Sequence, residues 1–284
     1  GRRRYRRCVI RPDAADLAPG DAWAATLDWS DLEVHRVESP ADPRLDTAYD
    51  LLWREFGARD EMEQRHVITS RLGWRPSCPV DGCALQYEML VVERAGVIVA
   101  VRDHSAILPL DDAGAPVVVH LSHALVLPAA RRGGLGAWLR CLPIACARSC
   151  ATAVGAPERP IVLVAEMEPA DPASEERMAR LRIYGRAGFR CVAPERIGYH
   201  QPDFRPPASI DATGVAPLPL SLVVRRVGRE AEDSMPASEV RAVVRALYAM
   251  YGAHQRASDM APLRARLAAL PDGDEPIALE EPVP

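Results

Sequence analysis

The stretch LVLPAARRGGLGAWLR, Leu125 to Arg140, decides the reading of this chain. It sets an apolar run and Pro128 ahead of Arg131, Arg132 and the glycines Gly133, Gly134 and Gly136, and then turns helix-like. The first amides of a helix have no partner within that helix and carry a partial positive charge. Glycine removes the side chains that would hold an anion away from those donors. A phosphate or pyrophosphate is the natural ligand, and Arg131 and Arg132 can add charge-assisted hydrogen bonds. The spacing is not a P-loop, because no Gly-Lys-Ser/Thr follows. Nor is it a dinucleotide fingerprint, because Leu139 stands where the third glycine would be. Taken alone, the loop is equally compatible with a plain strand-to-helix turn.

Working outward, the pattern alternates strands and helices. LEVHRVES (Leu32 to Ser39) reads as a first strand. Asp42-Pro43 opens a helix with Leu45, Ala48, Tyr49, Leu52, Trp53 and Phe56 on its apolar side, and Glu63 to Leu72 suggests a second, short helix. Gln86 to Leu108 reads as two strands around a turn near Gly96, and Val117 to Pro128 as one long strand. A helix follows Gly133 to about Cys150, with Pro143 expected to kink it. Ile161 to Glu168 is apolar on both faces at its start, as a central strand would be. Ser174 to Arg186 is a further helix stopped by Gly188, and two late strands fall around 190–200 and 218–227. Glu239 to Gln255 is amphipathic, with Val240, Val243, Val244, Leu247, Met250 and Tyr251 on one face; it docks on its own domain or, alternatively, on a second copy in a homodimer. PDGDEPIALEEPVP, at 271–284, reads as a mobile acidic tail.

At this point the chain resembles the GNAT superfamily of acyl-CoA-dependent N-acyltransferases. The family signature is a strand ending in V-x-P, two residues, then R/Q-x-x-G-x-G/A, which Val126 to Gly136 matches position by position. A second element, Y-x-x-x-G-F, is supplied by Tyr184 to Phe189. The resemblance covers about Leu32 to Gly228. It implies an α/β (α+β) fold: a central mixed, mostly antiparallel twisted sheet of about six or seven strands flanked by helices. The expected organisation is an N-terminal arm at 1–30, an acyltransferase domain at 31–228, and a C-terminal helical extension with an acidic tail at 229–284.

What the resemblance implies for the site follows residue by residue. The backbone of Leu125, Val126 and Leu127 would pair with the pantetheine arm of acetyl-CoA or another short acyl-CoA. The pyrophosphate would sit on the amides of Arg131, Arg132, Gly133, Gly134, Leu135, Gly136 and Ala137. Tyr184 matches the usual proton donor to the departing thiolate. Arg177 and Arg180 stand where many members carry asparagine and alanine, a departure that bears on one cofactor contact.

For the base that must leave the attacking amine neutral, His120 is the sharpest candidate; histidine as a class titrates near about 6.5. Simple alternation puts His120 and Ser122 on one strand face and His123 on the other, unless a bulge intervenes. Ser122 stands where a two-histidine relay would need its second histidine. Glu166 and Glu168, at the end of the next strand, could bind the cationic amine or relay its proton. Glu55, Glu61, Glu63 and Glu88, and the Tyr199-His200-Gln201 segment, are candidate contacts to the acceptor.

Composition sets the outer bounds. The net charge of −4 over 284 residues gives no reason to expect a nucleic-acid partner. No apolar stretch is long enough to span a bilayer. All 35 basic residues are arginine, a feature a GC-rich genome explains, and the basic GRRRYRRC opening reads as a solvated tail. Seven cysteines without a secretory signal suggest a reducing, cytoplasmic compartment, and Cys78 and Cys83 lack the second pair a zinc site requires, so no metal is expected. The function expected is transfer of an acetyl or other short acyl group to the primary amine of a small molecule or peptide. A non-catalytic acyl-CoA-binding or sensing domain is the alternative.

Overall fold

Apolar residues, valine and isoleucine among them, recur through the two longest strands of this chain. The computed structural model describes residues 9, 10, 12–59 and 61–283; the basic opening segment lies outside them. An edge pair, β1 (Val9–Ile10) and β2 (Leu32–Arg36), leads into β3 (Cys83–Arg94) and β4 (Val97–Pro109). The turn between the last two is Ala95-Gly96, both with positive φ (49° and 78°), the conformation a two-residue hairpin requires. Next come β5 (Val117–Val126), β6 (Ile161–Met167), β7 (Arg190–Val192), the short pair β8 (His200–Gln201) and β9 (Leu218–Pro219), β10 (Ser221–Arg226), β11 (Ser234–Pro236) and β12 (Pro276–Glu280).

The main sheet runs β1-β2-β3-β4-β5-β6-β10-β7-β12-β11. Every pairing in it is antiparallel except β5 with β6. This is the mixed, mostly antiparallel sheet expected, but it has ten strands among the described residues rather than six or seven. The surplus comes from short strands that carry too little periodicity to announce themselves. One of them corrects the reading of the acidic C-terminus. Pro276–Glu280 pairs with both β7 and β11 and buries Ile277 and Leu279.

Helices cover both faces. On one lie α1 (Arg44–Phe56) and α2 (Arg65–Arg71), packed against Tyr87, Met89, Val91, Val101 and Leu125. On the other lie α3 (Leu135–Cys141), α4 (Pro143–Ala153) and α5 (Glu175–Arg186). Pro143 divides the first two as expected, taking the first position of α4, where its missing donor costs nothing. Two short helices, α6 (Pro194–Ile197) and α7 (Pro207–Thr213), shape the late loops. The amphipathic C-terminal helix is α8 (Ala237–Gly252), followed by α9 (Ala257–Ala269), which the sequence reading missed. The apolar stripe of α8 docks on its own sheet, beside α1 and α2, with Val240, Val243, Leu247 and Tyr251 against Leu85, Ile107, Val118 and Val164. Residues 12–30, though aperiodic, are packed rather than loose. Asp21 makes a two-pronged ion pair with Arg140, Asp16 pairs with Arg148, and the Trp138 indole donates to the Ala24 carbonyl at 2.9 Å.

Candidate active site

The site begins where two strands part. β5 and β6 pair in parallel from Val117–Ile161 to His120–Val164, and there the pairing stops. β5 nevertheless continues on β4 to Val126, and β6 continues on β10 to Met167. The result is a V-shaped gap between residues 121–127 and 165–169. It opens into a cavity of about 730 Å³ that reaches both faces of the sheet.

The glycine loop lies at the wide end. Gly134 has φ +89°, a left-handed conformation, and a side chain there would meet Ala24 at 3.3 Å and Trp23 at 3.4 Å. Backbone strain and packing therefore account for Gly134. Gly133 and Gly136 are different: the nearest atoms to an added Cβ are 4.0 and 3.9 Å away, so packing tolerates a larger residue. What a side chain there would cost is access to the loop's amides. Of the seven amides proposed for pyrophosphate, Arg131 donates to the Pro128 carbonyl at 3.3 Å and Ala137 to that of Gly134 at 3.0 Å. The cradle thus narrows, and Ala137 leaves it. The amides of Arg132, Gly133, Gly134, Leu135 and Gly136 donate to no protein acceptor among the described residues. The Arg131 side chain bonds the Val126 carbonyl at 3.0 Å, occupying one backbone group expected to meet the pantetheine arm. Leu125 and Val126 line the cavity; Leu127 bonds back to β4 through its amide.

At the apex stand the candidate bases. His120 Nε2 is 2.8 Å from Glu166 Oε2, and His120 Nδ1 is 3.0 Å from Ser122 Oγ. Glu166 also accepts from the hydroxyls of Tyr199 and Tyr251 and, at 3.0 Å, from the Gln201 amide. Burial alone would raise the Glu166 carboxyl; His120 and these donors outweigh it and hold it below the ordinary range. Tyr251 comes from α8, so the C-terminal helix contributes to the site, which its place in an apolar stripe did not reveal.

A bulge corrects the expected orientation of His123. Between the pairs Asp103–His123 and Ser105–His120, β4 advances two residues while β5 advances three. The extra residue turns His123 to the same face as His120. There it is clamped. Nδ1 lies 2.9 Å from Asp103 Oδ1, Nε2 lies 3.0 Å from the Glu61 carbonyl, and Tyr87 donates to the other Asp103 oxygen at 3.0 Å. Burial opposes charge on both partners; their contact overcomes it, raising His123 to about 9 and lowering Asp103 to about 2.

Tyr184, on α5, lines the cavity from the opposite face of the sheet. Its ring meets Phe189 edge-on at 4.9 Å, and the Arg140 guanidinium lies 5.9 Å from its centroid. The strand gap is the place where a bound group can be touched by His120 from one face and Tyr184 from the other. Charge is segregated along the cavity. Arg102, Arg131, Arg140, Arg177 and Arg180 line the glycine-loop side, while Glu55, Glu61 and Glu63 line the side under α1 and α2. Arg177 pairs with Glu168 and Arg180 with Glu176.

Glu88 is not a cavity residue. It is buried on the α4 side, paired with Arg36 at 2.8 Å and bonded by Gln86. Its carboxylate, His104 and Cys146 place three potential ligand atoms within 4.8 Å, a grouping invisible to cysteine spacing. The Arg36 guanidinium on Glu88 already supplies the charge that a cation would bring. Among the described residues no helix is long and apolar enough to cross a membrane.

No protein-family model matches the chain, and no curated protein matches it in sequence. Solved structures do. A tandem GNAT protein from the clavulanic acid biosynthesis pathway is 23% identical over 57% of this chain, with a TM-score of 0.38; the chain spans 45% of its length. An acetyltransferase from Streptococcus agalactiae is 12% identical over 69% of this chain and 99% of its own, with a TM-score of 0.41. An acyl-CoA N-acyltransferase from Pseudomonas aeruginosa is 18% identical over 68% and 99%, with a TM-score of 0.33. The likeness is one of fold, to acetyltransferases and acyl-CoA N-acyltransferases that include a GNAT protein.

Proposed function

We propose that this protein is an N-acyltransferase that moves an acetyl or other short acyl group from acyl-CoA to a primary amine by direct attack. The observation that carries the reading is the parting of β5 from β6, with free loop amides at its wide end and a hydrogen-bonded His120–Glu166 pair at its apex. The pantetheine arm would enter the gap like a missing strand, and the diphosphate would rest on the amides of 132–136. Acetyl-CoA is the simplest donor.

On this reading the apex residues would take distinct roles. Glu166 is encircled by donors and held as a carboxylate, so it serves as the fixed partner of His120 Nε2–H. With the proton on Nε2, Nδ1 would accept from the Ser122 hydroxyl, which is part-exposed to the cavity. A bound ammonium would first lose one proton to solvent water in the cavity. The neutral amine would then add to the thioester carbon and pass its second proton to Ser122 Oγ while Ser122 passes its own to His120. The C–S bond would break with its electron pair on sulfur, and Tyr184 would protonate that sulfur. The acceptor, whether a small molecule or a peptide terminus, would enter from the side under α1 and α2, lined by Glu55, Glu61 and Glu63, the last already paired with buried Arg71. A continuous thiol-release assay with acetyl-CoA against a broad panel of amines tests this. Thiol release with at least one primary amine is expected; coenzyme binding with no turnover across the panel would leave an acyl-CoA-sensing domain instead.

A further inference from the structure

We infer that Arg102 is the anion-binding residue for the sulfur of coenzyme A, holding the leaving thiolate until it is protonated; this rests on the acyltransferase reading. Arg102 lies on β4, opposite Ala124 of the unpaired stretch of β5 and beside Leu90 of β3, whose side chain packs with Leu135 and Leu139 of α3. It is wholly buried, its Nε, Nη1 and Nη2 atoms make no well-formed hydrogen bond, and the side chain that interacts with it as a hydrogen-bonding group is the uncharged Tyr184 hydroxyl rather than a carboxylate. The other arginines lining the cavity are engaged: Arg140 by Asp21, Arg177 by Glu168, Arg180 by Glu176 and Arg131 by the Val126 carbonyl. A desolvated cation without a counter-ion is costly, and an anionic ligand would offset that cost.

The charged and titratable groups around it leave that place to a ligand. Asp103, its neighbour in sequence, is taken by His123 and Tyr87. His104, on the same strand, is kept neutral by burial and by Arg102 itself. Arg140, on α3, repels it, and the Tyr184 hydroxyl, on α5, accepts a hydrogen bond from it without supplying a charge. Tyr184 is the group placed to protonate sulfur, so the guanidinium beside it faces the same atom. The wall here includes Leu139 and Ala165, which suit an apolar arm bearing one charged atom better than a hydrated diphosphate. In the reaction the amine nitrogen bonds to the thioester carbon and the carbon–sulfur bond breaks. The electron pair goes to sulfur, and the sulfur anion rests on Arg102 until the Tyr184 proton arrives.

The test compares equilibrium binding of coenzyme A and desulfo-coenzyme A, which lacks the thiol, from pH 7 to 9.5, across which thiols of pKa about 8.5 ionise. Desulfo-coenzyme A, measured at each pH, cancels changes in the cleft or the fold. In the unaltered protein the affinity ratio should rise by about tenfold or more with pH, the size of a charge-assisted hydrogen bond. Arg102→Met should abolish the rise while keeping desulfo-coenzyme A affinity, and Arg102→Lys should keep part of it. A flat ratio in the unaltered protein, or an undiminished rise in Arg102→Met, overturns the inference and leaves the acyltransferase reading standing. Failure of desulfo-coenzyme A to bind the unaltered protein would overturn both.

Discussion

Two histidine–carboxylate pairs stand three residues apart on β5, and they are built for opposite purposes. His123 meets an acceptor at each ring nitrogen, the Asp103 carboxylate and the Glu61 carbonyl. Both nitrogens must then donate, so the ring is an imidazolium with no lone pair for a proton. His120 meets an acceptor at Nε2, but at Nδ1 it meets the Ser122 hydroxyl, which can donate. Those two contacts do not require both of its nitrogens to donate. The same two residue types thus make a fixed charge in one place and, on the function proposed, a proton relay in the other. What separates them is the third group, a carbonyl oxygen against a hydroxyl.

One substitution placed at both sites should separate these roles. His120→Gln keeps a donor for Glu166 and removes the proton acceptor. It should lower kcat by about 10²- to 10⁴-fold, the usual range for losing a general base, with little change in KM for the acyl-CoA. Steady-state kinetics in the productive amine checks this, and full activity in His120→Gln would dismiss the relay. His123→Gln should leave kcat within a few-fold and act on stability instead.

The sign of that second effect follows from the raised His123. A group whose folded pKa lies above its unfolded value stabilises fully below the unfolded value, about 6.5, and loses that contribution as pH rises through about 9. Asp103, held down, adds stability above its unfolded value and loses it only as pH falls through about 2. Urea unfolding of the unaltered protein should therefore weaken between pH 7 and 10 by about 3 kcal/mol, and His123→Gln should flatten that decline. An identical alkaline slope in the two proteins would show that His123 is not the charged member.

Much of the site's geography was readable from one dimension. Leu125 and Val126 of the strand, Arg131 and Gly136 of the glycine loop, His120, Glu166 and Tyr184 all line one cavity. Local patterns carry those positions, because a loop amide or a strand-end carboxylate is placed by its own few neighbours. The orientation of His123 was not readable, because a bulge exists only in the register between two strands, and β5 alone shows unbroken alternation. Arg102 hid for a related reason, since nothing in VIVAVRDHS says which charged residue will be buried without a counter-ion. Ile277 and Leu279 do alternate with exposed neighbours in β12, yet acidity and flanking prolines argued for a tail. Tyr251 was the hardest to find. On a helix face of Val240, Val243, Val244 and Leu247 it looks like packing, and its ring does pack; only its hydroxyl reaches Glu166.

That hydroxyl offers the finest test of the contrast between the pairs. Tyr251 donates to Glu166 Oε2 at 2.5 Å and lies 3.3 Å from His120 Nε2, whereas Tyr87 plays the corresponding part for Asp103 at 3.0 Å. Tyr251→Phe preserves the buried ring against Phe204 and His120 and deletes one donor. Glu166 keeps His120, Tyr199 and Gln201, so the loss should sit near the low end for hydrogen bonds to a charged group, about 1.5 kcal/mol in denaturant unfolding. If Glu166 serves to hold His120 in its reactive tautomer, kcat should fall with it by about tenfold, because a less firmly anchored carboxylate fixes the imidazole less well. Tyr87→Phe, made beside the clamped pair, should lower stability by a similar amount and leave kcat unchanged. Equal kinetic effects of the two phenylalanine variants would mean that both pairs serve the same end, and the distinction drawn from Ser122 and the Glu61 carbonyl would fail.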